Sequence, residues 1–173
     1  MNIQPLRDAI RESVAGNKEA FRAIFDQCYN TVFKYLLART PTRDDALDLA
    51  QETFVDLWQA LPRFRYLSDG QFYGFLFTIA KRKLAKYYAT RTQTVELDEA
   101  HIKGSFTLEV EDYRQLTRLI AQLPSKYQEL LRLRYWGELS WKEVAAVLGA
   151  TENAAKVWHH RAVRKLQRLA KKQ

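Results

Sequence analysis

Apolar positions along this chain recur mostly at steps of three and four residues, and the two-residue alternation of a strand is scarce, so the pattern predicts a succession of helices. A short first helix is expected over about Ile3 to Ala15, stopping at Gly16. Asn17 can cap a second, whose apolar positions are Phe21, Ile24, Phe25, Cys28, Val32, Tyr35 and Leu36. Pro41 breaks it. Thr42 then opens a third helix with Asp44 and Asp45 in its first turn, where the helix dipole favours acids, and Pro62 ends that one. Ser68-Asp69-Gly70-Gln71 has the spacing of a capping box and opens a fourth helix, Gln71 to about Thr90. From Arg91 to Asp112 the periodicity fades. Helical pattern resumes near Glu111 and breaks at Pro124, and Ser125-Lys126-Tyr127-Gln128 offers a second capping box for a helix ending at Gly137. Ser140-Trp141-Lys142-Glu143 offers a third, for a short helix that stops at Gly149, and Thr151 caps a last helix running to the C-terminus.

The fold class that follows is all-α: two small helical domains, residues 1–91 and 113–173, joined by an acidic linker over 92–112. Composition narrows the function. With 47% apolar residues the 173-residue chain can bury a core, and ten Gly plus Pro are too few for a turn-rich β-sandwich. The single cysteine, Cys28, allows no internal disulfide, and the three histidines show no ligand spacing, so no metal or other cofactor is expected. No apolar run reaches the ~18–20 residues of a membrane span and Met1 to Ala15 has no signal-peptide core, which points to a cytoplasmic protein. Nucleotide-binding and hydrolase motifs are missing, so no enzymatic role is expected.

Net charge is +8, and it is unevenly placed: +3 over residues 1–90, −4 over 91–112 and +9 over 113–173. A basic C-terminal third behind an acidic joint suits a polyanion binder. The two helices around the Gly149-Ala150 turn have the make-up of a helix-turn-helix, with Val144, Ala145 and Leu148 as the apolar face of the first. On the last helix Ala155, Trp158, His159, Ala162, Leu166 and Leu169 fall on one stripe expected to face the core. The opposite face offers Glu152, Asn153, Lys156, His160, Arg161, Arg164 and Lys165, the early ones within reach of base edges and the later ones of phosphates.

The third helix carries a core stripe of Leu47, Ala50, Phe54, Trp58 and Leu61. A second face is acidic: Asp45, Asp48, Glu52 and Asp56, with Asp44 and Gln51 beside them. Carboxylates in a row repel, so this face suggests a basic partner surface. Around the fourth helix aromatics, among them Phe64, Tyr66, Phe72, Tyr73, Phe75, Tyr87 and Tyr88, interleave with Arg65, Lys81, Arg82, Lys83, Lys86 and Arg91. Flat faces beside cations suit unstacked bases and their backbone. Phe72, Leu76 and Ile79 are nevertheless expected in the core, and Cys28 on its apolar stripe is read as a small core residue.

Together these motifs resemble bacterial sigma-70 factors, in their extracytoplasmic-function (ECF) group. Asp44-Asp45-Ala46-Leu47-Asp48-Leu49-Ala50-Gln51-Glu52-Thr53-Phe54 matches that family's polymerase-binding helix, and Phe72-Tyr73-Gly74-Phe75-Leu76-Phe77-Thr78-Ile79-Ala80 its promoter-melting segment. Leu123-Pro124 through Tyr135, Leu139 through Ala145, and His160-Arg161-Ala162 are similar to its C-terminal domain. The resemblance implies a non-enzymatic factor that binds core RNA polymerase (clamp helices and flap) and directs promoter-specific initiation, monomeric when free and open to control by an anti-sigma factor. Asp44, Asp45, Asp48, Gln51, Glu52 and Asp56 would meet the polymerase. Arg63, Arg65, Tyr66, Lys81, Arg82, Lys83 and Lys86 would hold the melted −10 element. Glu152, Asn153, Lys156, His160, Arg161, Arg164 and Lys165 would hold the −35 duplex. The chain departs from the family at Phe75, often Trp, at Arg82, often Asn, and at Val157-Trp158-His159 in the recognition helix, changes that bear on which promoter it selects.

Overall fold

The computed structural model describes residues 5–94 and 110–171. Within them the chain forms α1 (Leu6–Val14), α2 (Lys18–Leu37), α3 (Arg43–Ala60), α4 (Asp69–Thr94), α5 (Val110–Ala121), α6 (Ser125–Leu131), α7 (Trp141–Leu148) and α8 (Glu152–Ala170). No strand occurs among the described residues. Ile3 and most of the expected linker lie outside them. Helices α4 and α5 each extend into the ends of that linker, to Thr94 and from Val110.

The boundaries follow local chemistry. Asn17 accepts the backbone N–H groups of Glu19 and Ala20, at 3.0 and 3.3 Å, capping α2. Thr42 caps α3 through Asp45 N–H, and Ser140 and Glu143 form the reciprocal box that starts α7. Ser68 caps α4 through Gln71 N–H, so the helix begins at Asp69 rather than at Gln71. The box expected at Ser125 does not form. Pro124 takes the cap position, and Gln128 turns its amide back to the carbonyls of Ala121 and Leu123. Helix α6 continues into a wider, π-type turn at Arg132–Trp136 instead of running regularly to Gly137. Gly149 ends α7 at φ 64°, a left-handed conformation glycine adopts without a Cβ penalty.

Helices α1 to α4 enclose one apolar centre in which Ile10, Ile24, Val32, Leu36, Leu57, Leu61, Phe72, Leu76 and Phe77 are fully buried. Each such side chain contributes ~1.5–3 kcal/mol of transfer free energy. The buried face of α3 differs from the expected stripe: it comprises Ala46, Leu49, Ala50, Thr53, Phe54 and Leu57, while Leu47 and Trp58 are half-buried. α3 lies between α2 and α4 and so must bury a wider face than one stripe. Thr53 enters the core because its hydroxyl donates to Leu49 C=O at 2.7 Å. Helices α5 to α8 gather around Leu130, Leu131, Leu133, Leu139, Val144, Ala155 and Ala162, and α7 of this group lies along the start of α4. No described helix is long and apolar enough to cross a membrane.

Candidate nucleic-acid interface

The cationic surface of the C-terminal domain is built on α8. Glu152, Asn153, Lys156, His160, Arg161, Arg164 and Lys165 are all exposed. Lys156 pairs with Glu152 one turn earlier at 2.6 Å. Arg161, Arg164, Lys165 and Arg168 line an open cleft with Lys126, Pro124 and Tyr127 of the α6 end. Its floor is the Trp158 ring, with the Lys126 ammonium 2.9 Å from the ring centroid. Five cations and no carboxylate line this cleft, a composition that favours phosphate. Trp158, expected on the core stripe, is only half-buried here. Lys126 and Arg168 escaped the sequence reading because one lies on another helix and the other a turn beyond the recognised motif.

His159 is also half-buried rather than core. Its Nε2 is 2.8 Å from the Tyr135 hydroxyl, and its ring meets Trp141 edge-on at 5.0 Å. Burial, then the charges of Arg134 and His160, hold its pKa below the ordinary value of 6.5. Folded His159 therefore takes up a proton less readily than the unfolded chain does. The unfolded state binds more protons as the pH falls below about 6.5, so stability declines there and is recovered above it. Urea melts across that range should show this decline, and His159→Gln should flatten it. An equal slope in the variant would refute the assignment. Val157, at 47% exposure, stands outward beside Lys156 and His160.

On the N-terminal domain the cations divide. Arg63, Arg65, Arg82 and Lys86 are exposed. Tyr66 is held at the loop by donating to Asp69 at 2.7 Å, with the Arg11 guanidinium over its ring. Phe64 stacks on Phe75 at 4.8 Å and meets Phe72 edge-on, tying this loop to α4. Lys83 instead points at α3, 2.9 Å from Asp56 and 3.3 Å from Glu52. Its hydrogen bond to Asp56 is the main cause holding its pKa above the ordinary value. Lys81 faces Glu129 of α6 at 3.4 Å.

The same pairing divides the acidic stripe of α3. Asp45 hydrogen-bonds the Thr42 hydroxyl and lies 3.6 Å from Arg91. Glu52 and Asp56 are taken up by Lys83. Asp44 and Asp48 are exposed and make no ion pair or hydrogen bond among the described residues. Beside them runs an apolar groove of Phe21, Phe25, Phe54, Val55 and Trp58, edged by Lys18 and Gln51. Val55 is 55% exposed within it. The groove was legible only in that an apolar residue stands at an outward position of α3, one turn after Gln51. Cys28 is fully buried and its pKa is pushed up to about 12, chiefly by burial, so it is no nucleophile.

No group of three or more His, Cys, Asp or Glu among the described residues could hold a metal ion. The arrangement is one of binding surfaces: a cationic duplex-sized face on α8, a cationic-aromatic loop before α4, and an acid-edged apolar groove on α2 and α3.

Two family models match the chain, Sigma-70 region 2 over residues 24–94 and Sigma-70, region 4 over residues 113–166. The ECF RNA polymerase sigma factor SigD of Mycobacterium tuberculosis is 30% identical over 181 residues, covering 96% of this chain and 84% of that protein. The ECF RNA polymerase sigma factor BldN of Streptomyces coelicolor is 30% identical over 174 residues, and the match spans 95% of this chain but 65% of the relative's length. Among solved structures, CnrH in complex with the cytosolic domain of CnrY shares the fold, with a TM-score of 0.66 at 22% identity over 96% of this chain and 97% of that one. Sigma factor RpoE in complex with the anti-sigma factor NepR from Bartonella quintana aligns with a TM-score of 0.62 at 21% identity, covering 87% of this chain and 96% of that one. With both family regions in order and curated relatives matched along nearly its whole length, the chain belongs to the sigma-70 family of RNA polymerase sigma factors, in its ECF group.

Proposed function

We propose that this chain binds core RNA polymerase through α3 and delivers it to promoters, holding the −35 element as duplex on α8 and the −10 element as single strand at α4. It works in the cytoplasm as a binding factor without catalysis of its own. The observation that carries this reading is the pairing of surfaces of opposite chemistry on one chain. Asp44, Asp48 and Gln51 beside an aromatic groove suit a basic protein surface, whereas the cleft of α6 and α8 suits phosphate. Residues 1–91 serve as the polymerase and −10 domain, and 113–173 as the −35 domain. In the N-terminal domain Arg63, Arg65, Tyr66, Arg82 and Lys86 stand ready for the melted strand, and Lys81 becomes available once Glu129 releases it. Flipping a base costs a few kcal/mol, which stacking on an aromatic-lined, cationic site offsets. Solved relatives carry bound anti-sigma factors, and an acidic or apolar inhibitor covering either surface would silence this chain too.

Reconstitution with core polymerase on fragmented genomic DNA, with the 5′ ends of transcripts mapped, tests the reading. Starts confined to sites sharing one −35/−10 pair are expected, and starts scattered as with core alone would refute it. Within the −35 contact, Arg164→Ala should weaken every duplex alike and lower the salt slope by about one, because it removes a phosphate contact. Lys156→Ala should change which −35 sequence is preferred. Competition binding at several salt concentrations separates the two, and an exchange of these effects would reverse the placement of α8 in the groove.

A further inference from the structure

We infer that the described arrangement is a self-inhibited state, in which the C-terminal domain docks on α4 and must swing away before promoter DNA is held at both elements. The inhibitory role rests on the promoter-binding reading above; the docking does not.

The docked surface is made by shape and by charge. Gly70 and Gly74 stand one turn apart on α4, and α7 approaches them closely. A Cβ placed on Gly70 would lie 3.1 Å from the Ala146 Cβ, and one on Gly74 would lie 3.5 Å from the Ala146 carbonyl oxygen. Glycine at these two positions is what lets the helices meet at this separation.

Glu129 of α6 supplies the polar part. Its carboxylate accepts from the Tyr35 hydroxyl at 2.8 Å and the Arg39 guanidinium at 2.7 Å, and faces the Lys81 ammonium at 3.4 Å. All three partners belong to the N-terminal domain. The Glu129 side chain is 15% exposed, so a carboxylate is largely withdrawn from water on behalf of this contact. A second bridge joins Lys34 to Glu138 at 2.6 Å. Glu138 holds φ at 54°, a left-handed backbone unfavourable for a residue with a Cβ, which surrounding structure must maintain.

This packing is incompatible with the function in two ways. It occupies Lys81 and the first turns of α4, where the melted strand is to bind, and it covers α7, the helix that in a helix-turn-helix crosses the DNA backbone. It is also too compact. The −35 and −10 elements are separated by roughly 25 base pairs, about 80 Å at ~3.4 Å per pair. A compact chain of this length has a radius of gyration of about 16 Å. The domains cannot reach both elements while α7 rests on α4. Promoter phosphate competes for the cations that Glu129 holds, and the apparent affinity of the free chain is lowered by the fraction that is open.

The test is a reversible tether on the full chain, Gly70→Cys with Ala146→Cys. Disulfide Cβ atoms sit ~3.5–4.5 Å apart, so a few tenths of an ångström of give is enough here. In the free chain oxidation should close an intramolecular disulfide, seen as a mobility shift without reductant. Closure should be about tenfold or more slower once core polymerase is bound, because the docked population falls. The oxidised chain should lose promoter-specific transcription and regain it in dithiothreitol. Failure to close in the free chain, equal rates with and without core, or full activity of the oxidised form would each overturn the proposal.

Ala146→Arg checks it without cysteines or polymerase. Ala146 is exposed and outside the C-terminal core, so the variant should fold, and its radius of gyration by X-ray scattering should exceed that of the parent chain. An unchanged radius would count against docking. A chain that crosslinks but never binds core would reject the promoter reading and with it the inhibitory role. One that initiates at promoters but never crosslinks would reject the docked state alone.

Discussion

Asp48→Arg is expected to remove most of the chain's affinity for core RNA polymerase while leaving its urea midpoint unchanged. Asp48 is exposed, makes no ion pair or hydrogen bond among the described residues, and borders the groove of Phe21, Phe25, Phe54, Val55 and Trp58. A reversed charge against a basic surface costs ~2–5 kcal/mol when the contact is desolvated, and much less at a rim. That corresponds to about thirty-fold to several thousand-fold in dissociation constant. The other acids of the stripe are poorer probes. Glu52→Arg would set a cation against Lys83, now 3.3 Å from the carboxylate, and would disturb the pairing of α3 with α4. Asp45→Arg would lose its bond to Thr42 at the helix cap and its partner Arg91. Fluorescence competition for core polymerase reads the effect, and an unaltered dissociation constant for Asp48→Arg would move the polymerase contact elsewhere.

Phe72→Ala is expected to cost ~3–5 kcal/mol of stability, a large share of the ~5–15 kcal/mol available to a domain. The ring is fully buried and meets both Phe64 and Tyr73 edge-on at 6.0 Å. Its loss leaves a cavity where the 64–68 loop is fastened to α4, with Phe64 held only by Phe75. The consequence is functional as well as energetic. Arg65 and Tyr66 ride on this loop, so at temperatures where the variant remains folded, promoter opening should fall with polymerase binding nearly retained. Permanganate reactivity of −10 thymines, measured with a core-binding assay, separates the two. Reactivity equal to that of the parent would show that the loop does not position the strand.

Much of this protein was legible in its sequence because the signals are local. Caps at Asn17, Thr42, Ser140 and Thr151 are satisfied within three residues, and Gly149 needs only its own φ. The order of family motifs is likewise a one-dimensional property, and it sufficed for the all-α class and for the family. Failures arose where a local signal had a rival nearby. Ser125 and Gln128 have capping-box spacing, yet Gln128 finds two carbonyls of the preceding turn within reach, and Pro124 takes the cap.

Tertiary structure alone decided which charges face outward and which face one another. In the sequence Asp45, Asp48, Glu52 and Asp56 form one uniform stripe, and Lys81, Arg82, Lys83 and Lys86 one uniform patch. The packing of α4 against α3 joins Lys83 to Glu52 and Asp56, and α6 brings Glu129 to Lys81, which leaves Asp44, Asp48, Arg82 and Lys86 facing solvent. Helical period fixes the face of a residue but not what lies opposite that face. The groove beside Val55 and the seat of Ala146 on Gly70 depend on how two helices are set against each other, through contacts between residues far apart in the chain. Backbone propensity carries no information about those contacts.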